Sequence, residues 1–240
     1  MLEVKNLDAF YGAVQVLHGV NLVVNTGEIV GLVGANAAGK SSLMFSLAGL
    51  RTTCRGELLL DSASIKDLLP WQRPSKGLVL VPERRRLFPF MTVLENLEVG
   101  AYAPAARAVI SESLEEVFAL LPTLSERRSQ VAGSMSGGEQ QMLAIARALI
   151  QNPDIFLMDE PSEGLSPLIV SEVGALIKQL NAEGNAFLIV EQNLAFALSV
   201  AHRVLIMNKG TIVYSGTPDE IRNDPEIGCR FLGMGVTSAE

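Results

Sequence analysis

From residue 28 to residue 48 the chain reads Glu28-Ile29-Val30-Gly31-Leu32-Val33, then Gly34-Ala35-Asn36-Ala37-Ala38-Gly39-Lys40-Ser41, then Ser42-Leu43-Met44-Phe45-Ser46-Leu47-Ala48. The middle octet is Gly, four residues, Gly, Lys and Ser, the pattern of a phosphate-binding loop. The first segment reads as a buried strand and the last as a helix. A strand, a Gly-rich turn and a helix aim a row of backbone N–H groups at one point, at the positive end of a helix dipole. Lys40 adds a mobile cation for terminal phosphates, and the Ser41 hydroxyl is suited to a magnesium ion.

The 240 residues are 48% hydrophobic and 19% charged, enough to bury a sizeable core. No apolar run approaches the roughly 18 residues of a membrane span, and Met1-Leu2-Glu3-Val4-Lys5-Asn6 lacks the basic and apolar regions of a secretion signal. A mean hydropathy of +0.30 suits a chain that docks on something apolar, such as a peripheral subunit of a membrane complex. The net charge of −7 argues against nucleic acid as a partner. Cys54 and Cys229 are far apart and in no metal-ligand spacing, which points to a reducing, cytoplasmic setting. His18 and His202 are the only histidines, too few for a histidine-rich metal site.

Along the chain, Leu2-Glu3-Val4 and Val20-Asn21-Leu22-Val23-Val24 read as strands of an N-terminal antiparallel β region, followed by a Thr26-Gly27 turn. Gly56 to Asp61 reads as a further strand. Leu78-Val79-Leu80-Val81 is a short apolar run ended by Pro82 and suits a buried parallel strand. From about residue 84 to residue 150 the pattern turns helical. Thr92 and Glu95 make a capping box, Ser111 to Leu121 is amphipathic and ends before Pro122, and Glu139 to Ile150 reads as a strong helix. Strand and helix then alternate: Ile155 to Met158, Ser166 to Leu180, Ala186 to Val190, Leu194 to Ala201. Asn208-Lys209-Gly210 is a hairpin turn between Val204–Met207 and Thr211–Tyr214. The alternation predicts an α/β fold with a parallel sheet, and the helical zone of about residues 84–150 reads as a lobe inserted into one domain spanning residues 1–240.

Two further motifs carry chemistry. Ile155-Phe156-Leu157-Met158-Asp159-Glu160 is an apolar strand ending in two carboxylates. Beside a phosphate loop, Asp159 suits a magnesium ion and Glu160 suits a general base for an attacking water. Met135-Ser136-Gly137-Gly138-Glu139-Gln140-Gln141 opens a helix with a capping box between Ser136 and Glu139. Its paired glycines leave bare N–H groups at the helix start, ready for a phosphate.

With these residues assembled, the chain resembles, over essentially its whole length, the ATP-binding subunit of an ABC transporter. The family's Leu-Ser-Gly-Gly-Gln signature is matched here by Met135-Ser136-Gly137-Gly138-Glu139, and its D-loop by Ser162-Glu163-Gly164-Leu165-Ser166. The resemblance implies a P-loop NTPase core, and ATP with Mg2+ held by the loop residues Gly34, Ala35, Asn36, Ala37, Ala38, Gly39, Lys40, Ser41 and Ser42. It places Tyr11 where the family's adenine-stacking aromatic lies. It implies a head-to-tail dimer in which Ser136, Gly137 and Gly138 of one subunit meet the γ-phosphate held by the other, with Glu160 acting on water nearby.

The departures from the family pattern narrow the branch. Glu83 stands where the family usually has a magnesium-liganding Gln. Gln192, in Glu191-Gln192-Asn193, stands where a switch histidine is usual, and Ser166 replaces an Asp in the D-loop. The phrases Val81-Pro82-Glu83-Arg84-Arg85-Arg86, Met135 to Ala144 and Val190-Glu191-Gln192-Asn193, with the closing Phe231-Leu232-Gly233, resemble the second ATPase of the branched-chain amino acid importers. Ala37 replaces the commoner Gly, and a Cβ there predicts a negative φ. Ser42 replaces the commoner Thr.

The resemblance thus implies an ATPase subunit of an importer. It would lie on the inner face of the cell membrane, work as a homodimer or as a heterodimer with a second ATPase subunit, bear on two permease subunits, and be served indirectly by a solute-binding protein. The surface from Glu83 to Phe88 is the expected docking face, where Arg84 to Arg86 either dock or are solvated. Two alternatives stand beside it. One is a degenerate regulatory subunit, favoured by Gln192, whose amide hydrogen-bonds a phosphate but cannot carry an imidazolium charge. The other is a soluble, non-transport ABC protein.

Overall fold

The computed structural model describes residues 1–50 and 52–224. Phe231-Leu232-Gly233 and Cys229 lie outside the described residues. In chain order the elements are β1 (Leu2–Tyr11), β2 (Val14–Val24), β3 (Ile29–Val33), α1 (Lys40–Ala48), β4 (Thr53–Leu60), β5 (Ala63–Ser64), β6 (Leu78–Val81), α2 (Val93–Gly100), α3 (Pro104–Ala108), α4 (Ile110–Leu120), α5 (Pro122–Glu126), α6 (Gly137–Leu149), β7 (Ile155–Asp159), α7 (Pro167–Ala182), β8 (Ala186–Glu191), α8 (Leu194–Val200), β9 (Arg203–Asn208), β10 (Thr211–Gly216) and α9 (Pro218–Asn223).

Two sheets organise these elements. The larger runs in the order β10-β9-β3-β8-β7-β6. Strands β9, β3, β8, β7 and β6 are mutually parallel, and β10 closes one edge antiparallel through the Asn208–Thr211 hairpin. The smaller sheet is antiparallel, in the order β2-β1-β4-β5. Strand β3 is buried on both faces, as expected of a central parallel strand. Its alternate residues serve two cores: Val30 and Leu32 face one, Ile29 and Val33 the other.

The first core is sandwiched between the sheets. There α1 contributes Leu43, Met44 and Leu47, which meet Leu2, Leu17 and Leu58 of the small sheet and Leu157 and Leu188 of the large one. The second core lies on the opposite face, under α6, α7 and α8, where Phe156 and Phe187 stack with ring centroids 4.9 Å apart. A third core belongs to the helices between β6 and β7 and includes Val93, Leu97, Val117 and Leu124. Helix α6 serves both, giving Ala144 and Ile145 to the second core and Leu143 and Ala146 to the third.

The α/β reading of the sequence holds, with local differences. The N-terminal strands are longer than their apolar runs, because register shifts along β1 absorb the polar interruptions at Asn6 and Asp8. Pro122 does not merely end what precedes it; like Pro104, it opens a short helix, where a missing N–H costs nothing. Among the described residues no helix is long and apolar enough to cross a membrane.

Candidate functional site

The phosphate loop leaves β3 at Gly34 and enters α1 at Lys40. Gly34 is obligatory on steric grounds, since a Cβ there would collide with the backbone oxygen of Met207 on β9. Gly39 takes φ +108 and starts α1 with no side-chain cap and no acidic residue in the first turn. The first N–H groups of the helix are therefore left for an external anion. Ala37 corrects the expectation of a negative φ. It sits at φ +63, in the left-handed region. The loop must reverse within four residues, and the Ala38 N–H to Ala35 carbonyl bond (3.1 Å) closes that reversal around Ala37.

Lys40 is 5% exposed. Its ammonium donates to the carbonyl of Gly34 (2.8 Å) and to that of Ala35 (3.2 Å), and lies 3.9 Å from Glu160 Oε1. Burial pulls its pKa down, and the negative charges of Glu160, Asp159 and Glu191 oppose that. The ammonium thus faces a concentration of carboxylate, which favours its charged form.

Asp159 ends β7 and is 3% exposed. Its pKa is pushed up to about 6, first by burial and then by the charges of Glu160 and Glu83. A hydrogen bond from the Ser41 side chain and the charge of Lys40 act in the other direction. Its Oδ1 is buried without a hydrogen-bond partner among the described residues. An orphaned carboxylate oxygen beside a Ser hydroxyl fits a hard divalent cation. No cluster of three or more His, Cys, Asp or Glu surrounds the point among the described residues. A cation there would need further ligands from outside the chain, and magnesium commonly takes these from phosphate oxygens and water.

Glu160 follows at φ +50, with its N–H bonded to Val190 of β8 (2.9 Å). The Gln192 amide nitrogen donates to both its carboxylate oxygens, at 2.8 and 2.9 Å. Parallel pairing of β7 with β8 makes this contact, because it brings the C-terminal ends of both strands to one edge.

Loop residues Asn36 to Ser42, together with Glu83, Glu160 and Gln192, line a single cleft of about 630 Å³. Glu83 also holds the Arg84 guanidinium at 3.0 Å. Gly34, Ala35 and Asp159 adjoin this lining without being part of it, and four predicted positions, Tyr11, Ser136, Gly137 and Gly138, fall elsewhere. Tyr11 is exposed at the end of β1 and is not part of the cleft lining, whose wall is Gln15, Val16 and His18 of β2. Ser136 and Gly137 do not line the cleft either. Gly138 opens on a separate groove, packed so closely on Ile169 that a Cβ would lie 2.8 Å from it. The capping box at this helix start is present: Ser136 N–H donates to Glu139 Oε2 (2.8 Å) and Glu139 N–H to Ser136 Oγ (3.3 Å). The Ser136 N–H bond, above all, holds the Glu139 carboxyl below its usual range.

Some residues at the site were not evident in the sequence. Lys209 and Gly210 line the cleft because the β9–β10 turn bonds to the loop, Gly210 N–H to the Ala38 carbonyl at 2.8 Å. Val16 and His18 carry no motif at all. Glu191, 2% exposed, had one visible signal, a carboxylate ending an otherwise apolar strand.

Comparison with known proteins agrees with this geometry. The ABC transporter family model matches residues 17–163. The chain is 40% identical to the high-affinity branched-chain amino acid transport ATP-binding protein BraG of Pseudomonas aeruginosa, over 97% of this chain and 100% of that protein. It is 34% identical to the lipopolysaccharide export system ATP-binding protein LptB of Haemophilus influenzae, over 97% of each. Its fold matches the crystal structure of a nucleotide-free ATP-binding cassette from an ABC transporter with a TM-score of 0.85, at 28% identity, covering 98% of this chain and 99% of that one. On motif, fold and full-length likeness together, the chain belongs to the ABC transporter family, as an ATP-binding and ATP-hydrolysing subunit.

Proposed function

We propose that this subunit energises the import of branched-chain or related amino acids through two membrane permease subunits, as one ATP-binding domain into which the helices between β6 and β7 are inserted. The likeness to BraG, at 40% identity over the full length of that protein, carries the substrate class. The weaker likeness to LptB supports the rival of an export system.

Lys40 and the N–H groups of the loop bind the β- and γ-phosphates, and Tyr11, on the same hairpin as Val16, provides the aromatic plate for the base. Asp159, Ser41 and Glu83 hold magnesium, which when bound neutralises phosphate charge. Glu160 takes the proton of the attacking water, and Gln192 aligns its carboxylate. The start of α6 is the missing side of the site. Ser136, Gly137 and Gly138 lie outside the phosphate cleft of their own chain, which supports completion of the cleft by a second subunit, identical or different. The surface around Phe88, Phe90, Trp71 and Tyr102 exposes large apolar side chains and suits the permeases, with a solute-binding protein acting on them from the far side. The subunit then works peripherally, at the inner face of the membrane.

The test is uptake of labelled leucine by cells lacking this subunit, complemented with wild type or with Glu160→Gln, alongside magnesium-dependent ATP hydrolysis by the purified proteins. Uptake restored only by the wild type, with turnover lost by about 100-fold or more in the variant, is the expected result. Uptake that is unaffected by loss of an active ATPase would sink the import reading.

A further inference from the structure

Glu191 is a buried carboxylate that the hydrolysis scheme above does not use. It follows the five apolar residues Ala186 to Val190 and is 2% exposed. A carboxylate in such a place is costly unless its oxygens are hydrogen-bonded. Here they are bonded to two different loops. Oε1 accepts the N–H of Ser162 at 2.9 Å, two residues beyond Glu160. Oε2 accepts the N–H of Asn193 at 3.3 Å, and Asn193 in turn caps α8 by accepting the Phe196 N–H at 3.1 Å.

These bonds enclose the contact between Gln192 and Glu160. Gln192 is flanked by Glu191 and Asn193, so the Glu191 carboxylate braces the backbone on either side of it. On the other strand, Glu160 is fixed by its own N–H to Val190 and by the tether at Ser162. A glutamine side chain has three rotatable torsions, so its amide stays on target only if the backbone beneath it is fixed.

We propose that Glu191 is a positioning residue for hydrolysis: by joining the Ser162 turn to the Gln192 turn, it holds the Gln192 amide against the Glu160 carboxylate. The inference rests on the reading of Glu160 as general base. It asks of Glu191 no contact with ATP, and it makes the effect of Glu191 pass through Gln192.

The test is a double-mutant cycle on the full chain, with kcat, KM for ATP and the ATP dissociation constant measured for wild type, Glu191→Gln, Gln192→Ala and the double variant. Glu191→Gln keeps the shape but sets an NH2 against one of the two N–H donors. The expected result is a fall in kcat of about tenfold at unchanged ATP affinity, absent (within twofold) in the Gln192→Ala background. The same fractional loss in both backgrounds, or no loss in either, would overturn the proposal, because a brace that only supports the fold acts independently of Gln192. If Glu191→Gln does not fold, Glu191→Asp, too short to span both loops, takes its place under the same criterion. Glu160→Gln is run alongside. Undiminished turnover in that variant removes Glu160 as the base, whatever the cycle at Glu191 gives.

Discussion

One nitrogen of the Gln192 side chain donates to both carboxylate oxygens of Glu160, at 2.8 and 2.9 Å, although the two residues are 32 positions apart. The family's usual histidine at this place would titrate near neutrality, whereas an amide keeps one state across the working range. Gln192→His should therefore give a kcat profile with a limb near pH 6.5, at saturating ATP and magnesium, that the wild type lacks. Superimposable profiles would show that residue 192 does not act on Glu160 during turnover.

Asp159 makes the free subunit less stable as pH rises. In the fold its carboxyl is pushed up to about 6 from an ordinary 3.8, mainly by burial. A raised carboxyl pKa means that its contribution is complete below pH 3.8 and is lost as pH climbs through 6, a change of roughly 3 kcal/mol. Asp159→Asn should abolish hydrolysis yet raise the Tm of the nucleotide-free protein at pH 7.5 by roughly 5–10 °C. At pH 4.5 the difference should shrink. Melting curves at the two pH values check this, and a gap independent of pH would rule out charge burial as the cause.

Ala37 sits at φ +63, where a Cβ costs about 1–2 kcal/mol. Glycine removes that cost but loses more freedom on folding, by about 0.4–1 kcal/mol. Ala37→Gly should thus stabilise the chain by roughly 0.5 kcal/mol, seen as a higher urea midpoint, with ATP affinity within a fewfold of wild type. A loss of 1 kcal/mol or more would mean that the loop does not hold this conformation in solution.

Gly34→Ala should act in the opposite sense. The added methyl would collide with the Met207 carbonyl oxygen, which belongs to strand backbone and cannot swing away. A cost of about 1–3 kcal/mol is expected from overpacking. Displacement of the loop should weaken ATP binding at least about tenfold, measured by titration calorimetry. Affinity equal to wild type would show that the loop tolerates a shift away from β9.

Most of the fold was legible because its signals are local. The stretches read as strands at Glu28–Val33 and Ile155–Met158 match β3 (Ile29–Val33) and β7 (Ile155–Asp159) to within one residue. The capping boxes at Thr92 and Ser136 form as their residue types require. The turn at Lys209-Gly210 takes the positive φ pair of a two-residue hairpin. Ala37 was misjudged for a reason that is also physical. A steric preference of about 1–2 kcal/mol for negative φ yields to the closure of the loop around it. Tyr11, placed by likeness of position, lies outside the cleft lining, which on that side includes Val16 and His18 of the same hairpin.

The sequence by itself determined the phosphate loop, the acidic strand end, the order of strands and helices along the chain, and the family. Each of these rests on interactions within a few residues, where hydrogen-bonding geometry and the period of the side chains leave little choice. Only the tertiary structure decided that β8 lies between β3 and β7, so that Gln192 reaches Glu160 and Glu191 joins two loops. It also decided that the start of α6 lies outside the cleft lining of its own chain. Such contacts depend on which strands become neighbours, and that is set by burying three cores at once rather than by any local stretch of residues.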